Sequence, residues 1–254
     1  MVSTAPRSRA GVDTMAWDRF LRYLHRAWRA GDHVALLGPA GAGKTFLGTE
    51  VLDTRRYIVA LDIKGGRDPV LNRLVIEKGF IPITSWPVKD ERKRIKQGEA
   101  LRYLLSPPNA RPEDLPNMAA VFRSVLRDIY MRGGWSVYLD ELRVVTDPIS
   151  GMGLAREVEN LLLVKRFEGV SVIGSSQAPR WIPHAMYDQS VHAFFFRNRD
   201  EIIVKRLAEI AGGADRNEVA QIVRGLRSHE VLYVGGRSER RIVTKVAPTG
   251  LRPS

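Results

Sequence analysis

The segment Gly38–Thr45 constrains this chain more than any other part of its sequence. It reads Gly-Pro-Ala-Gly-Ala-Gly-Lys-Thr and matches the phosphate-loop pattern GxxxxGK[ST] at every fixed position. The apolar run His33–Leu37 before it predicts a short buried strand, and residues 46–52 after it continue as a helix. Because phosphate loops join a strand to a helix, the context agrees with the motif. The sequence therefore predicts a nucleoside triphosphate site.

Each part of this loop has a role in the predicted site. Its glycines let the backbone turn so that several N–H donors and the positive end of a helix dipole converge on phosphate. We expect Lys44 to reach the β- and γ-phosphate oxygens and Thr45 to hold Mg²⁺. The predicted nucleotide-binding residues are Gly38, Pro39, Ala40, Gly41, Ala42, Gly43, Lys44 and Thr45.

Length and composition favour one α/β domain. The chain has 254 residues, of which 44% are hydrophobic, enough for a single large core. Residues 1–12 predict a flexible basic arm, residues 13–254 a single P-loop domain, and residues 86–117, rich in proline and charge, an insertion. No apolar run approaches the ~20 residues that cross a bilayer, so we expect no membrane span and a cytoplasmic location.

The charge of the chain points to a class of partner. There are 40 Lys and Arg against 28 Asp and Glu, a formal net charge of +12. Such an excess favours polyanions, with nucleic acid as the first candidate, although a solvated basic surface is the alternative. The chain has no cysteine, which excludes disulfides, thiolate metal sites and a cysteine nucleophile.

Strand-like and helix-like patterns alternate along the chain and predict a mostly parallel sheet flanked by helices. The last two β-like runs are separated by Gly235–Gly236 and predict a C-terminal β-hairpin. Beyond 33–37, strands are predicted at 57–61, 80–83, 135–139, 170–174, 191–196, 231–234 and 241–246. Helices are predicted at 17–28, 46–52, 70–78, 118–132, 154–167, 201–211 and 217–226.

Two strand ends carry candidate catalytic side chains. The strand 135–139 leads into Asp140 and Glu141; Asp140 is predicted to hold Mg²⁺ and Glu141 to orient and deprotonate the attacking water. The strand 170–174 leads towards Gln177, which is suited to sensing the γ-phosphate or that water. The alternative for each is a polar residue that only caps a strand. Since strand 57–61 precedes the acidic pair in sequence, we expect another strand between the loop strand and the acidic strand.

Four segments together resemble the FtsK–HerA superfamily of ring-forming DNA-pumping ATPases. They are 38–45 as Walker A, 61–65 like the Asp-Pro-Lys-Gly segment of conjugative coupling ATPases, 138–141 as Walker B, and 165–170 running into 176–179. The resemblance covers about residues 34–210, and Ile63 stands where the family has proline. It implies an ATP- and Mg²⁺-dependent hydrolase with a P-loop NTPase fold of the additional-strand, RecA-like type. The size is more similar to viral genome-packaging or mobile-element DNA-transfer ATPases than to chromosome pumps.

The resemblance also implies how subunits cooperate. A neighbouring subunit is expected to supply an arginine to the transferred phosphoryl group, with Arg166 as the first choice and Arg180 and Arg197 as alternatives. Sharing a site in this way requires a head-to-tail closed ring, a pentamer or hexamer. The predicted catalytic residues are Glu141, Lys44, Gln177 and Arg166. The predicted metal ligands are Thr45 and Asp140.

The resemblance favours a motor that translocates or packages double-stranded DNA, in the host cytoplasm if the chain is phage-encoded. A phage or secretion assembly ATPase acting on protein is the alternative, and it predicts turnover indifferent to DNA. A non-hydrolytic nucleotide-dependent scaffold is a third possibility, which the presence of Glu141 disfavours. A kinase is the weakest interpretation, because nothing in the sequence marks an acceptor site.

Overall fold

The computed structural model describes residues 12–108, 114–177, 183–210, 216–237 and 240–247. The strands are β1 Asp13–Thr14, β2 His33–Leu37, β3 Tyr57–Leu61, β4 Ile81–Ile83, β5 Leu101–Leu105, β6 Ser136–Leu139, β7 Ser171–Ser176, β8 Ser190–Phe196, β9 Glu230–Gly235 and β10 Arg240–Lys245. The helices are α1 Trp17–Ala27, α2 Lys44–Leu52, α3 Pro69–Ile76, α4 Glu91–Lys96, α5 Leu115–Arg132, α6 Leu142–Thr146, α7 Ala155–Leu163, α8 His184–Gln189, α9 Glu201–Ile210 and α10 Arg216–Gly225.

The strands of the described residues form one sheet in the order β1-β10-β9-β8-β2-β7-β6-β3-β5-β4. The seven strands from β8 to β4 are parallel. β9 runs antiparallel to both β8 and β10, which is the predicted hairpin. The parallel strands therefore all end at one edge of the sheet, called the carboxyl edge below, and begin at the opposite amino edge.

The central strands β2, β6 and β7 are buried along their whole length because both faces of the sheet are covered. On one face, Ala35 and Leu37 pack in a core that includes Phe122 of α5. On the other face, Val34 and Leu36 pack in a second core with residues of α1, α2 and α3. Alternate residues of β2 therefore belong to different cores, as the two-residue period of a strand requires.

The sequence predicted that one strand separates the loop strand β2 from the acidic strand β6, and the structure identifies that strand. β7 lies between β2 and β6, so one strand separates the loop strand from the acidic strand, as predicted. The intervening strand is the one that leads to Gln177. β3 instead lies on the far side of β6.

The structure corrects the expectation of an insertion at 86–117. Within that range, Leu101–Leu105 is β5, which pairs with β3 on one side and β4 on the other. Leu101, Tyr103 and Leu105 are fully buried. The charged helix α4 lies just before β5, so charge dominates the local sequence pattern and does not indicate a strand. β5 is nevertheless buried, because burial depends on the distant strands with which it pairs.

Helix α7 is shorter than the sequence predicted. The helix predicted at 154–167 stops at Leu163, and Arg166–Glu168 forms a separate 3₁₀ turn.

The predicted arm 1–12 lies outside the described residues except for Val12. Among the helices that the structure describes, none is both long and apolar enough to cross a membrane.

Candidate nucleotide site

The phosphate loop connects β2 to α2 at the carboxyl edge. Gly41 and Gly43 have φ angles of 71° and 100°, a region that glycine adopts without the strain other residues meet. Gly38 N donates a hydrogen bond to Ser176 O at 3.2 Å. A Cβ added to Gly38 would lie 2.5 Å from Phe196 Cβ, so the loop has no room for a side chain there.

Lys44 begins α2, and its side chain folds back over the loop. Its Nζ donates to Gly38 O at 2.8 Å and to Pro39 O at 2.9 Å. Burial lowers the pKa of the Lys44 ammonium, while the nearby carboxylates of Glu141 and Asp140 act against that lowering. The ammonium therefore lies at the mouth of the loop, close to the carboxylates of β6.

Asp140 is buried at the end of β6 and is held by several neighbours. Its Oδ1 accepts hydrogen bonds from Thr45 Oγ1 at 2.9 Å and from the Tyr138 hydroxyl at 2.6 Å. Its backbone oxygen accepts a hydrogen bond from the Ser175 hydroxyl. Residues from β6, β7 and α2 thus fix this carboxylate in one orientation.

Glu141 and Gln177 follow neighbouring strands and contact each other. Gln177 Nε2 donates to Glu141 Oε2 at 3.2 Å. Burial raises the pKa of the Glu141 carboxyl, and the hydrogen bond from Gln177 and the charge of Lys44 oppose that rise. A carboxylate with a raised pKa is a stronger base, and this one has an amide that orients it.

Lys64 also belongs to this site, although the sequence analysis noted it only as part of the segment 61–65 that resembles coupling ATPases. Its Nζ lies 3.3 Å from Asp140 Oδ2 and 2.5 Å from Asp68 Oδ2. The turn that presents it is organised by the buried Asp62, whose Oδ1 accepts from Lys64 N at 2.8 Å and whose Oδ2 accepts from the Ser106 hydroxyl at 2.8 Å. The sequence signal was an Asp-x-Lys-Gly segment at the end of a strand, but the pairing of β3 with β6 was needed to locate it.

The loop and the acidic pair fit a magnesium nucleotide. A Cβ added to Gly41 would have no neighbour within 4 Å, so the mouth of the loop is open. The Thr45 hydroxyl and the Asp140 carboxylate meet beside the loop. Both are oxygen ligands of the kind that Mg²⁺ takes together with phosphate oxygens. The structure thus brings together Lys44, Thr45, Asp140, Glu141 and Gln177.

The arginine candidates do not all join this group. Arg166 lies at the amino edge, where its Nη2 is 4.0 Å from Asp32 Oδ1. β2 alone, with five residues at about 3.3 Å each, separates the two edges by roughly 16 Å. Arg197 directly follows β8 at the carboxyl edge, and Arg180 lies outside the described residues.

No protein-family model and no curated protein matches the sequence. Solved structures do match. The genome packaging NTPase B204 from Sulfolobus turreted icosahedral virus 2, in complex with sulfate, superposes with a TM-score of 0.57 at 15% identity over 87% of this chain and 99% of B204. Its complex with AMPPCP gives 0.54 at 16% identity over 85% and 98% of the two chains. VirB4 of Thermoanaerobacter pseudethanolicus gives 0.58 at 12% identity over 86% and 90%.

This chain has a P-loop NTPase fold. At these identities the likeness concerns the fold alone, and it confirms the α/β fold that the resemblance to the FtsK–HerA superfamily implied. The P-loop NTPase fold also accounts for the site, because it brings the ends of β2, β6 and β7 together at one edge.

Proposed function

We propose that this chain is a Mg²⁺-dependent ATPase that drives the movement of double-stranded DNA as a pentameric or hexameric ring. The observation that carries the proposal is the convergence of Lys44, Thr45, Asp140, Glu141 and Gln177 around one glycine-rich loop. This set contains a phosphate-binding cation, oxygen ligands for a metal, and a general base with its orienting partner.

The binding half of the site is formed by Lys44, Thr45 and Asp140. Lys44 binds phosphate oxygens in exchange for the carbonyls that its ammonium contacts here. Thr45 and Asp140 hold the metal, and Tyr138 keeps Asp140 in place. Bound Mg²⁺ supplies neutralisation of phosphate charge during phosphoryl transfer.

The hydrolytic half consists of Glu141 and Gln177. Glu141 accepts the proton of the attacking water, and burial makes its carboxylate a better base. Gln177 holds that carboxylate through its amide. Gln177 follows β7, which lies next to the loop strand β2. Its side chain is therefore also suited to sense the γ-phosphate.

Two observations support DNA as the substrate. The net charge of +12 favours a polyanion held through its phosphates without base readout. A solved structure described as the DNA-packaging ATPase of Sulfolobus turreted icosahedral virus shares the fold, with a TM-score of 0.57 at 15% identity. We therefore propose that this chain also uses ATP hydrolysis to move double-stranded DNA.

The test is steady-state phosphate release with Mg²⁺ and ATP, with and without long double-stranded DNA, at low and moderate salt. A DNA motor is expected to be stimulated by DNA in a salt-sensitive way, and the stimulation is expected to disappear in Glu141→Gln. Hydrolysis that is unchanged by DNA would overturn the DNA motor and favour a protein-assembly ATPase. No hydrolysis at all would overturn the ATPase itself.

A further inference from the structure

Helix α1 and the residues just after it expose a row of arginines. The row, called the α1 basic face below, consists of Arg19, Arg22, Arg26 and Arg29, all of them exposed. The first three lie at positions i, i+3 and i+7, so they share one side of the helix over about 10 Å of its axis. Arg29 follows the end of the helix by two residues. Between Trp17 and Arg29 the chain has one acidic residue, Asp18.

These charges have no acidic partner in the folded chain. Within the described ranges, none of the four side chains of the α1 basic face forms an ion pair or a hydrogen bond. Arg73 of α3, which covers the same face of the sheet, differs from them. Its Nη2 lies 3.1 Å from Glu50 Oε1 and 2.6 Å from Glu77 Oε2. The α1 basic face therefore presents its positive charge to solvent without a neutralising carboxylate.

The spacing of the row is unfavourable for the free helix. Arg22 lies three residues after Arg19 and four residues before Arg26, and like charges at these spacings destabilise a helix. A polyanion bound along the row neutralises these charges together and releases its own counterions, which is a large source of affinity between proteins and DNA. The arrangement therefore suits an extended polyanion.

The apolar side of α1 is already covered by the protein core. Trp17, Phe20 and Leu24 are buried. The Phe20 ring packs edge-on against Phe194 and Tyr233, with ring centroids 5.9 and 5.2 Å away. A helix that lies on a membrane surface needs an exposed apolar side, and α1 has placed that side in the core. A partner of α1 is therefore recognised by charge.

The surroundings of the α1 basic face favour a duplex over a single strand. Proteins that bind single-stranded DNA stack its bases on aromatic side chains. Among the described residues of α1, none is a large exposed hydrophobic side chain. Tyr23 is half-buried, and the exposed Arg240 adds a cation over its ring, with Cζ 5.5 Å from the ring centroid. Duplex DNA carries twice the phosphate density of a single strand, so it suits a surface that offers charge without stacking sites.

Packing connects α1 with the nucleotide site. The buried side of α1 shares a core with Leu47 and Val51 of α2, and α2 begins at Lys44. The exposed arginines form no hydrogen bond or ion pair with the described residues of the phosphate loop. Their removal is therefore expected to leave the nucleotide site intact.

We infer that the α1 basic face is a contact surface for the phosphate backbone of double-stranded DNA. The inference rests on the proposed DNA-dependent ATPase and assigns the DNA to a defined surface of the chain. The guanidinium groups bind phosphate oxygens as charged N–H donors and read no bases.

The first experiment measures binding of fluorescently labelled duplex DNA by anisotropy over a range of salt concentrations. The double variant Arg22→Ala/Arg26→Ala is expected to bind at least about 10-fold more weakly than the wild type at moderate salt. The slope of log affinity against log salt concentration is expected to fall by about 2, because each phosphate contact contributes about 0.9. Hydrolysis of ATP without DNA should equal that of the wild type.

The matched control removes the same charge from another exposed helix. Lys93→Ala/Lys96→Ala on α4 is expected to change the affinity by about 2-fold or less, through the net charge alone. Arg22→Lys/Arg26→Lys keeps both charges and should keep the salt slope of the wild type. An equal loss of affinity in the two alanine double variants would overturn the inference, as would a lysine variant that binds as weakly as Arg22→Ala/Arg26→Ala.

The outcomes separate this inference from the proposed function. A wild-type chain that binds no duplex DNA would overturn the DNA-motor proposal, and the inference with it. Wild-type binding that Arg22→Ala/Arg26→Ala retains would overturn the inference alone. Single-stranded DNA of the same length is expected to compete less well than the duplex, and a preference for the single strand would overturn the assignment to double-stranded DNA.

A second measurement locates the DNA without removing any arginine. Because the chain has no cysteine, a single introduced cysteine can carry a photo-activated cross-linker at one known position. His25→Cys places it at an exposed position of α1 beside the arginines, and Gln97→Cys places it at an exposed position after α4. Cross-linking to duplex DNA is expected from position 25 and not from position 97. Equal yields from the two positions would overturn the inference.

Discussion

The Thr45 hydroxyl donates a 2.9 Å hydrogen bond to Asp140 Oδ1, although 95 residues separate the two in the chain. The contact exists because β7 fills the gap between β2 and β6 and aligns their carboxyl ends. Two oxygen groups proposed as metal ligands are thereby held together before any nucleotide arrives. Such preorganisation reduces the cost of assembling the site on binding.

Lys44→Ala is expected to abolish ATP binding or turnover. The Lys44 ammonium is the cation that contacts the loop carbonyls directly, and no methyl group can replace its charge-assisted hydrogen bonds to phosphate. Titration with a fluorescent ATP analogue and phosphate release measure the two effects. Lys205→Ala, at an exposed position of α9, is the control. Normal binding and turnover by Lys44→Ala would contradict the assignment.

Glu141→Gln is expected to bind ATP and to hydrolyse it at least ~100-fold more slowly, because an amide keeps the shape of the carboxylate but cannot accept the water's proton. Single-turnover hydrolysis together with an equilibrium binding titration separates the two properties. The exposed substitution Glu99→Gln should leave both unchanged. Wild-type turnover in Glu141→Gln would remove Glu141 from its proposed role.

Gly48→Ala is expected to destabilise the protein by about 1–3 kcal/mol, the usual cost of overpacking a core. The added Cβ would lie 2.7 Å from the Tyr138 hydroxyl, which in turn holds Asp140. Phosphate release should fall as well, because Asp140 loses its support. Urea unfolding of Gly48→Ala, Tyr138→Phe and the double variant forms a cycle. Removal of the hydroxyl relieves the closest contact, although the ring carbon Cζ of Tyr138 would still lie 2.9 Å from the added Cβ. The double variant should therefore lose somewhat less stability than the two single losses added together; simple additivity would refute the explanation.

His33 is expected to make stability fall as the pH drops from about 6.5 to about 4. His33 Nδ1 accepts a hydrogen bond from Val172 N at 2.9 Å, and its Nε2 lies 3.1 Å from Leu162 O, so the ring is neutral. The pKa of the ring is lowered from 6.5 to about 4, chiefly by burial and in smaller part by the charge of Arg166, while the Leu162 O contact and the charge of Asp32 act in the opposite direction. Below pH 6.5 the unfolded chain binds a proton that the folded chain refuses, and below the folded pKa the loss is complete.

The size of this loss is at most about 3–4 kcal/mol, because the pKa falls from 6.5 to about 4 and each pKa unit corresponds to about 1.4 kcal/mol. Denaturant unfolding of the wild type and His33→Gln across pH 8 to 4 isolates the contribution of His33. His33→Gln should be less stable at pH 8, since a glutamine replaces both ring contacts imperfectly, and its stability should depend less on pH. Parallel curves for the two proteins between pH 7 and 4 would exclude His33 as the titrating group.

Much of the nucleotide site could be predicted from the sequence, because its signals are local. The phosphate loop, the acidic pair and Gln177 each follow a recognisable apolar strand, and parallel strands end at a common edge. Lys64 could not be placed in this way. Its contact with Asp140 depends on β3 lying beside β6, and no pattern within residues 57–66 states which strand is its neighbour.

The sequence by itself determined the phosphate loop, the β-α alternation and the C-terminal hairpin, since each depends on contiguous residues whose spacing has a direct physical meaning. Only the tertiary structure decided that β5 lies within the sheet, and that Arg237 meets Asp32 across 205 residues at the edge opposite the phosphate loop. These contacts follow from strand order and from burial by distant partners, because non-local pairing is selected by the packing of the whole sheet rather than by the local propensity of any segment.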